Sequence, residues 1–519
     1  MAKIPPELQK RIAKARNDRN LRQSLINGYL RMADPVRPRI GENLKSPADR
    51  SSEVDDRFDS SLEENAEDFA SDLIARTMPR DKEWLAYEPI ETLSDEEKAF
   101  LKDPLRARTK AIFAAIRASN FYEEAAGEWA WDQGHGTSAL ISYDPGAGQP
   151  HCWEAIAPGQ LLIGKGHRGI NFKARESVHE IGELMAYWPK WQWPVELTQR
   201  TDTEVGKARL VTLLECATLI PDPGEEKWNW QVCVDGHVVY EQELKGRGSC
   251  PILVTRWRTF SNSPWGYGPL LKAVPDARTL DQLRYAVLKN LGKAVDPPTM
   301  YDDDGVTNPE GGVDAGMWIP RLPGSKQDQL ESGRLELAFF EEEKLREKVK
   351  RAAFQSGPYQ RGKTPPTLGQ WMDEKAEEGR RLEMPTGKLY AEGVVAVVER
   401  TEYLLLQAGK IDPMLKAGDK KIVQVRPLNP LARQQDFDRA NTARQLMEII
   451  MTAFGPQVAA AVIDAGATIE NLQAALNDEI VIVRDADAAD PMLRGVLGQP
   501  GMAPGLETAP PGAPAPAPA

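Results

Sequence analysis

RWRTFSNSPWGYGPLLKAVPDARTLDQLRYAVLKNLGKAVDPP, residues 256–298, decides how this chain is organised. An aromatic, strand-like run ends in the Gly/Pro turn at 266–269. A long helical pattern follows, and Pro297 and Pro298 stop it. Leu280, Leu283, Val287 and Leu291 fall on one helical stripe. The other faces carry Arg278, Asp281, Arg284, Lys289 and Lys293, and Asp276 after Pro275 suits the first turn. Such a helix does not bury both faces in its own domain, so the pattern predicts packing against a second helix or a neighbouring subunit. Residues 341–355, EEEKLREKVKRAAFQ, form the candidate partner. Their acids precede their bases, as the helix dipole prefers, and Leu345 and Val349 share a face. Between the two helices, 299–340 reads as turns with short strands at 317–319 and 335–340.

Working outward toward the N-terminus, residues 5–32 read as one basic amphipathic helix with Leu8, Ile12, Ala15, Leu21, Leu25 and Leu30 apolar. A solvated cationic face is the favoured reading there, over a nucleic-acid contact. A second helix spans 57–78, with Phe58, Leu62, Phe69, Leu73 and Ile74 on one face. A strand follows at 84–89, then Ala-rich helices at 105–119 and 121–133. From 137 to 260 the pattern turns β-rich, with runs at 138–143, 160–163, 211–217, 228–234, 237–240 and 252–257. Turns rich in Gly, Asp and Pro separate them, among them Asp235-Gly236, and one helical insert spans 177–187 before WPKWQWP. The tryptophans at 188, 191, 193, 228 and 230 could form a base-stacking platform, but no Lys/Arg cluster interleaves them. Packing in a core or at a subunit interface is favoured. Toward the C-terminus, helices are predicted from 367, over 388–408, and at 433–454, 456–465 and 469–476, with a strand at 421–427. From 490 the chain is Pro/Gly/Ala-rich and ends PPGAPAPAPA, a composition that buries too little apolar surface to fold. The class is therefore α+β, predominantly helical.

A length of 519 residues allows two to four domains. No apolar run approaches the ~20 residues that span a bilayer, and the start lacks the apolar core of a secretion signal. The cysteines at 152, 216, 233 and 250 form no CxxC pair and sit in strand-like contexts, which predicts buried free thiols. The net charge of −12 opposes tight nucleic-acid binding, because phosphate affinity comes from Lys and Arg. It does not oppose a pore through which DNA slides.

Three motifs imitate chemistry. His135 lies between two glycines, but no Ser or Cys nucleophile motif accompanies it, so it reads as a turn residue. Asp302, Asp303 and Asp304 precede Gly305 without the spacing or closing Glu of a calcium loop. GPYQRGKT at 357–364 fits the phosphate-binding pattern through Gly357, Gly362, Lys363 and Thr364. That pattern works when a buried strand feeds it and a helix starts at Lys-Thr. Here a charged helix feeds it, and Pro365 and Pro366 remove two amide donors. The favoured alternative is a Gly/Pro loop presenting Arg361 and Lys363. No catalytic residue, metal site or cofactor is expected.

Several stretches, taken in order, resemble one family. They are RW…YG…P…PD…L at 256–280, FDSSLEENAEDFASDLIARTMP at 58–79, DQGHGTSALI at 132–141, INFKARESVHEIGEL at 170–184, LLLQAGKIDP at 404–413 and NPLARQQ at 429–435. Together they resemble the portal, or head-to-tail connecting, proteins of short-tailed bacteriophages. The resemblance implies a portal fold: a wing at 1–265, a first stem helix at 266–298, a clip at 299–340, a second stem helix at 341–356, a tunnel loop at 357–367, a return helix at 368–428, a crown at 429–487 and a tail at 488–519. It implies a ring, dodecameric in the family, at one capsid vertex, with virion localisation and no enzymatic activity. Expected partners are copies of itself, the major capsid and scaffolding proteins, the terminase large subunit, tail adaptor and nozzle proteins, and double-stranded DNA in the channel; no membrane is expected. Arg361 and Lys363 are the expected DNA-facing residues. Leu280, Leu283, Val287, Leu291, Leu345 and Val349 are the expected stem contacts. The rival readings are a P-loop nucleotide hydrolase built on 357–364 and another phage structural protein.

Overall fold

The computed structural model describes residues 3–46, 56–90, 92–144, 151–167, 169–199, 201, 203–222, 224–261, 263–302, 314–321, 323–324, 335–355, 387–413, 423–428, 442–453 and 468. The chain divides into two compact units, Met1–Pro427 and Leu428–Ala519. In the second unit, 442–453 is helical. The first unit holds everything described below.

Its N-terminus is two helices, α1 (Pro6–Asn20) and α2 (Gln23–Ala33), where the sequence predicted one. Each half has its own core. Leu8, Ile12 and Ala15 of α1 join Leu162, Phe172, Ala174, Leu214, Cys216 and Cys233 over the large sheet. Ile26, Tyr29, Leu30 and Ala33 of α2 join the main core. A single straight helix could not serve both, and Leu21 at the break is exposed. Helix α3 (Ser61–Thr77) starts later than predicted, because Phe58 and Asp59 are held by another element, and β1 (Leu85–Pro89) follows. Helix α4 spans Asp95–Ala118, ten residues longer at its start than predicted. The prediction began after Pro104, but a Ser94/Glu97 capping box starts the helix earlier, a device contributing about 1 kcal/mol. A π-helical turn (Phe121–Ala125) then leads into α5 (Ala126–Asp132).

The β-rich stretch builds two sheets. One is a three-stranded antiparallel sheet in the order β3 (Cys152–Ala155), β2 (Thr137–Tyr143), β9 (Ile252–Arg256). The other is a five-stranded antiparallel meander of β4 (Leu161–Gly166), β5 (Gly169–Glu180), β6 (Leu210–Ile220), β7 (Lys227–Val234) and β8 (His237–Lys245). Asp235 and Gly236, both at positive φ, form the two-residue turn between β7 and β8, as their sequence predicted. Strand β5 runs through Glu180, opposite Leu210 of β6, so the insert predicted from 177 is helical only from Ile181. Between β5 and β6 lie α6 (Ile181–Tyr187) and two single turns, α7 (Val195–Thr198) and α8 (Glu204–Lys207). Trp188, Trp191, Trp193 and Trp230 pack against the apolar cluster under this sheet. Cys216, Cys233 and Cys250 are buried free thiols and Cys152 is half-buried.

After β9, a 3-10 turn (Leu270–Lys272) opens α9 (Val274–Val295). Strands β10 (Thr299–Asp302) and β11 (Trp318–Arg321) pair in parallel, then comes α10 (Leu335–Ala352). The strand predicted at 335–340 is thus the first turn and a half of α10. Its alternating apolar residues mimic a strand, but they run without a breaker into EEEKLREK, and the helix propagates back through them. A second π turn (Tyr390–Val394) leads into α11 (Val395–Gln407). Strand β12 (Val423–Pro427) closes the unit by pairing antiparallel with β1, far away in sequence. No described helix is long and apolar enough to cross a membrane.

Candidate assembly surface and its joint with the body

Helices α9 and α10 pack along each other. Arg284 pairs with Glu342 at 3.0 Å and Asp276 with Lys348 at 3.8 Å, so the helices run antiparallel. Leu280 and Val287 of α9 and Leu345 and Val349 of α10 are buried within the chain itself. Leu283 is half-buried, and Leu291 is 45% exposed. The stripe read from the sequence is therefore sheltered through Val287 and open at Leu291.

That opening is broad. Tyr285, Leu288, Leu291 and Val295 are exposed on α9, and Leu337, Phe339 and Phe340 on α10. Tyr301, Met317 and Trp318 are exposed on or beside the β10–β11 pair, where the Tyr301 and Trp318 rings lie 6.2 Å apart. Scattered exposed apolar side chains need no explanation, but ten of them on α9, α10 and beside the β10–β11 pair make this a candidate contact surface.

The near end of the helix pair is fixed to the body by charge. The Asp281 carboxylate accepts from the backbone N–H of Phe58 (2.7 Å) and Asp59 (3.0 Å). Arg346 reaches Asp59 at 3.2 Å and Glu342 at 3.0 Å. Glu342 is buried and receives both Arg284 and Arg346. The Phe58 and Tyr285 rings meet at 4.8 Å. Since Asp59 also accepts from the Ser61 N–H, the start of α3 and the flank of α9 share one network.

Below this joint, two glycine turns interlock. Gly268 N–H donates to the His135 carbonyl and Leu270 N–H to that of Gly134, while Trp257 N–H donates to Gly136. Gly136 sits at positive φ, and a Cβ there would fall on the backbone of Tyr267 and Gly268. Backbone thus packs on backbone where α9 begins. His135 is buried in this turn with its ring 3.1 Å from Asp132, which agrees with the turn-residue reading. Arg37 also pairs with Asp132 at 2.8 Å. Around it, burial pushes the carboxyls of Asp34 and Glu128 up from their ordinary range. On the other side, Arg256 holds Glu392 of the π turn through two guanidinium nitrogens.

The residues expected to face DNA, Arg361 and Lys363, lie outside the described residues, as does all of GPYQRGKT and NPLARQQ. Asp302 ends β10, while Asp303, Asp304 and Gly305 are also outside. Among the described residues, no group of three or more His, Cys, Asp or Glu could hold a metal ion. Sequence reasoning missed Tyr285, Leu288 and Val295 as surface residues and Asp281 as the clasp. The signal for the first three was present: the second half of α9 is apolar on more faces than one partner helix covers.

The chain matches the family described as bacteriophage head to tail connecting protein over residues 6–479. No curated protein matches it. Among solved structures it is similar to a chain of one described as "Virion of native gene transfer agent (GTA) particle", at 12% identity over 89% of this chain and 97% of that one, with a TM-score of 0.29. It is also similar to a chain of "Neck of empty GTA particle computed with C6 symmetry", at 13% identity over 83% and 95%, with a TM-score of 0.32.

Proposed function

Because the chain belongs to the bacteriophage head-to-tail connecting protein family, we propose that it forms the portal ring of a virion, with its open apolar surface closed by neighbouring copies. Its place is the phage-type particle, as a structural component. The observation that carries the ring is the uncovered second half of α9 together with the start of α10 and the β10–β11 pair. In one copy these side chains face water; between copies arranged around an axis each would lie against the next. Leu280, Val287, Leu345 and Val349 hold the helix pair in shape, and Leu288, Leu291 and Val295 make the contact.

In this reading 266–298 and 341–356 are the stem, 299–340 the clip, 1–265 and 368–428 the wing, and 429–487 the crown. The ring, a dodecamer, passes double-stranded DNA through its axis during packaging and ejection. It docks the terminase large subunit, meets capsid and scaffolding proteins and later carries tail adaptors. No residue performs covalent chemistry. Arg361 and Lys363, repeated around the ring, would form a belt of weak phosphate contacts in an otherwise acidic assembly.

Leu288→Glu combined with Leu291→Glu tests the ring. Both positions are exposed in one copy, so the folded protomer should melt as before, while light scattering shows loss of the ring. Rings of unchanged mass would sink this assignment.

A further inference from the structure

Helices α1 and α2 meet at a break that carries none of the usual stop and start signals. A helix end commonly has a glycine just beyond it, and a helix start a Ser, Thr, Asp or Asn cap. Here Leu21 and Arg22 stand between the two helices, Arg22 makes no side-chain cap bond, and the first turn of α2 holds no acid. Both residues keep right-handed helical dihedrals, with φ −62° and ψ −19° at Leu21 and φ −100° and ψ −3° at Arg22. Leu21 is 73% exposed. The bend is held by what each helix packs on, not by caps.

The buried positions keep one phase across the break. Leu8 and Ile26, Ile12 and Leu30, and Ala15 and Ala33 each stand eighteen residues apart, about five turns of an α-helix. A continuous helix over 6–33 would therefore carry both apolar sets on one face. In that form α2 would stay on the main core, and α1, fifteen residues and about 22 Å long, would project from its start.

The surface that α1 needs is present in every copy. Its apolar side chains share a core with Leu162, Phe172, Ala174, Leu214, Cys216 and Cys233 of the five-stranded sheet, separate from the main core. Arg16 pairs with Glu176 at 2.7 Å, Arg19 donates to the Gly159 carbonyl, and the Ile4 N–H donates to the Gly236 carbonyl at 3.1 Å. An arm from the next copy would make these same contacts, so exchange conserves them. Around a ring, the neighbour's sheet stands at high effective concentration.

We propose that α1 is an exchangeable arm: in the assembled ring, residues 6–33 form one straight helix, and α1 seats on the five-stranded sheet of the neighbouring copy. This rests on the ring reading and adds to it a second contact between copies, apart from the α9–α10 surface.

The test is a cross-link in the full chain carrying Cys152→Ser, Arg16→Cys and Glu176→Cys, with a short bis-maleimide joining the introduced thiols. Cys216, Cys233 and Cys250 are buried. Light scattering first establishes whether rings are present. Unassembled protein should give product within one chain, and rings should give a ladder of joined chains on a denaturing gel. Arg22→Asp caps α2 and favours the bend, so it should cut the cross-chain fraction about fivefold without lowering the melting temperature of the protomer. Hydrogen exchange on the unaltered chain gives a reading free of the introduced thiols: the Arg22 and Gln23 amides should be protected at least tenfold more in rings than in the protomer. Rings with product only within one chain, or with those amides exchanging as in the protomer, would overturn the exchange and leave the ring reading standing. Protein that never forms rings would overturn both.

Discussion

Gly136 shows how much one missing side chain can matter. It combines positive φ with backbone contact on Tyr267 and Gly268, so relaxation of a neighbouring side chain cannot make room for a Cβ. Gly136→Ala should therefore lower stability by about 2–4 kcal/mol, read as a shifted denaturant midpoint. Glu215 poses the opposite case, a charge the fold tolerates badly. Burial outweighs the pull of Arg175 and pushes its carboxyl up to about 7. A raised carboxyl contributes stability below its unfolded pKa and loses it as pH rises through the folded value. The parent protein should accordingly lose stability between about pH 4.5 and 7 through this residue. Glu215→Gln removes the loss: its melting temperature should exceed the parent's at pH 8, by the equivalent of about 1–3 kcal/mol, and converge with it near pH 4.5. Equal melting at pH 8 would show that Glu215 ionises in the fold without cost.

At the scale of elements, the α9–α10 pair and its clasp to α3 decide how the assembly surface is held. Asp281→Ala leaves the Phe58 and Asp59 amides without their acceptor. Hydrogen exchange should quicken at those two amides while the middle of α3 stays protected, at a cost of about 1–2 kcal/mol. Uniform exchange across α3 would mean that the clasp serves the whole helix. Helix α9 was legible because its period, its N-terminal proline and its Pro-Pro stop agree. The sheet strands near Asp-Gly and similar turns were legible for the same reason. The start of α10 was not, because six alternating residues fit a strand and a helix face alike. Nor was the split between α1 and α2, since Leu21 continues the apolar spacing and only the existence of two cores forces the turn. Strand β3, Cys152–Ala155, is short and carries Glu154, and its pairing with β2 supplied what its sequence lacked.

For the whole molecule, the proposed DNA-conducting ring has a testable consequence. Arg361→Ala with Lys363→Ala should leave ring formation intact and reduce retention of packaged DNA, scored as genome loss from filled particles under osmotic or thermal stress. Unchanged packaging and retention would remove Arg361 and Lys363 from the proposed DNA path. The net charge of −12 is compatible with the proposed channel, since tight phosphate binding would need an excess of Lys and Arg.

Sequence alone determined the α+β class, helix α9 with its stops and the family, because periodicity, turn chemistry and short motifs are local properties of a chain. Tertiary structure alone decided that the α9 stripe is covered through Val287 and open at Leu291. It also decided that Asp281 clasps Phe58 and Asp59 and that two glycine turns interlock. Those facts depend on what a distant segment places beside each residue, and spacing along one strand of sequence carries no record of it.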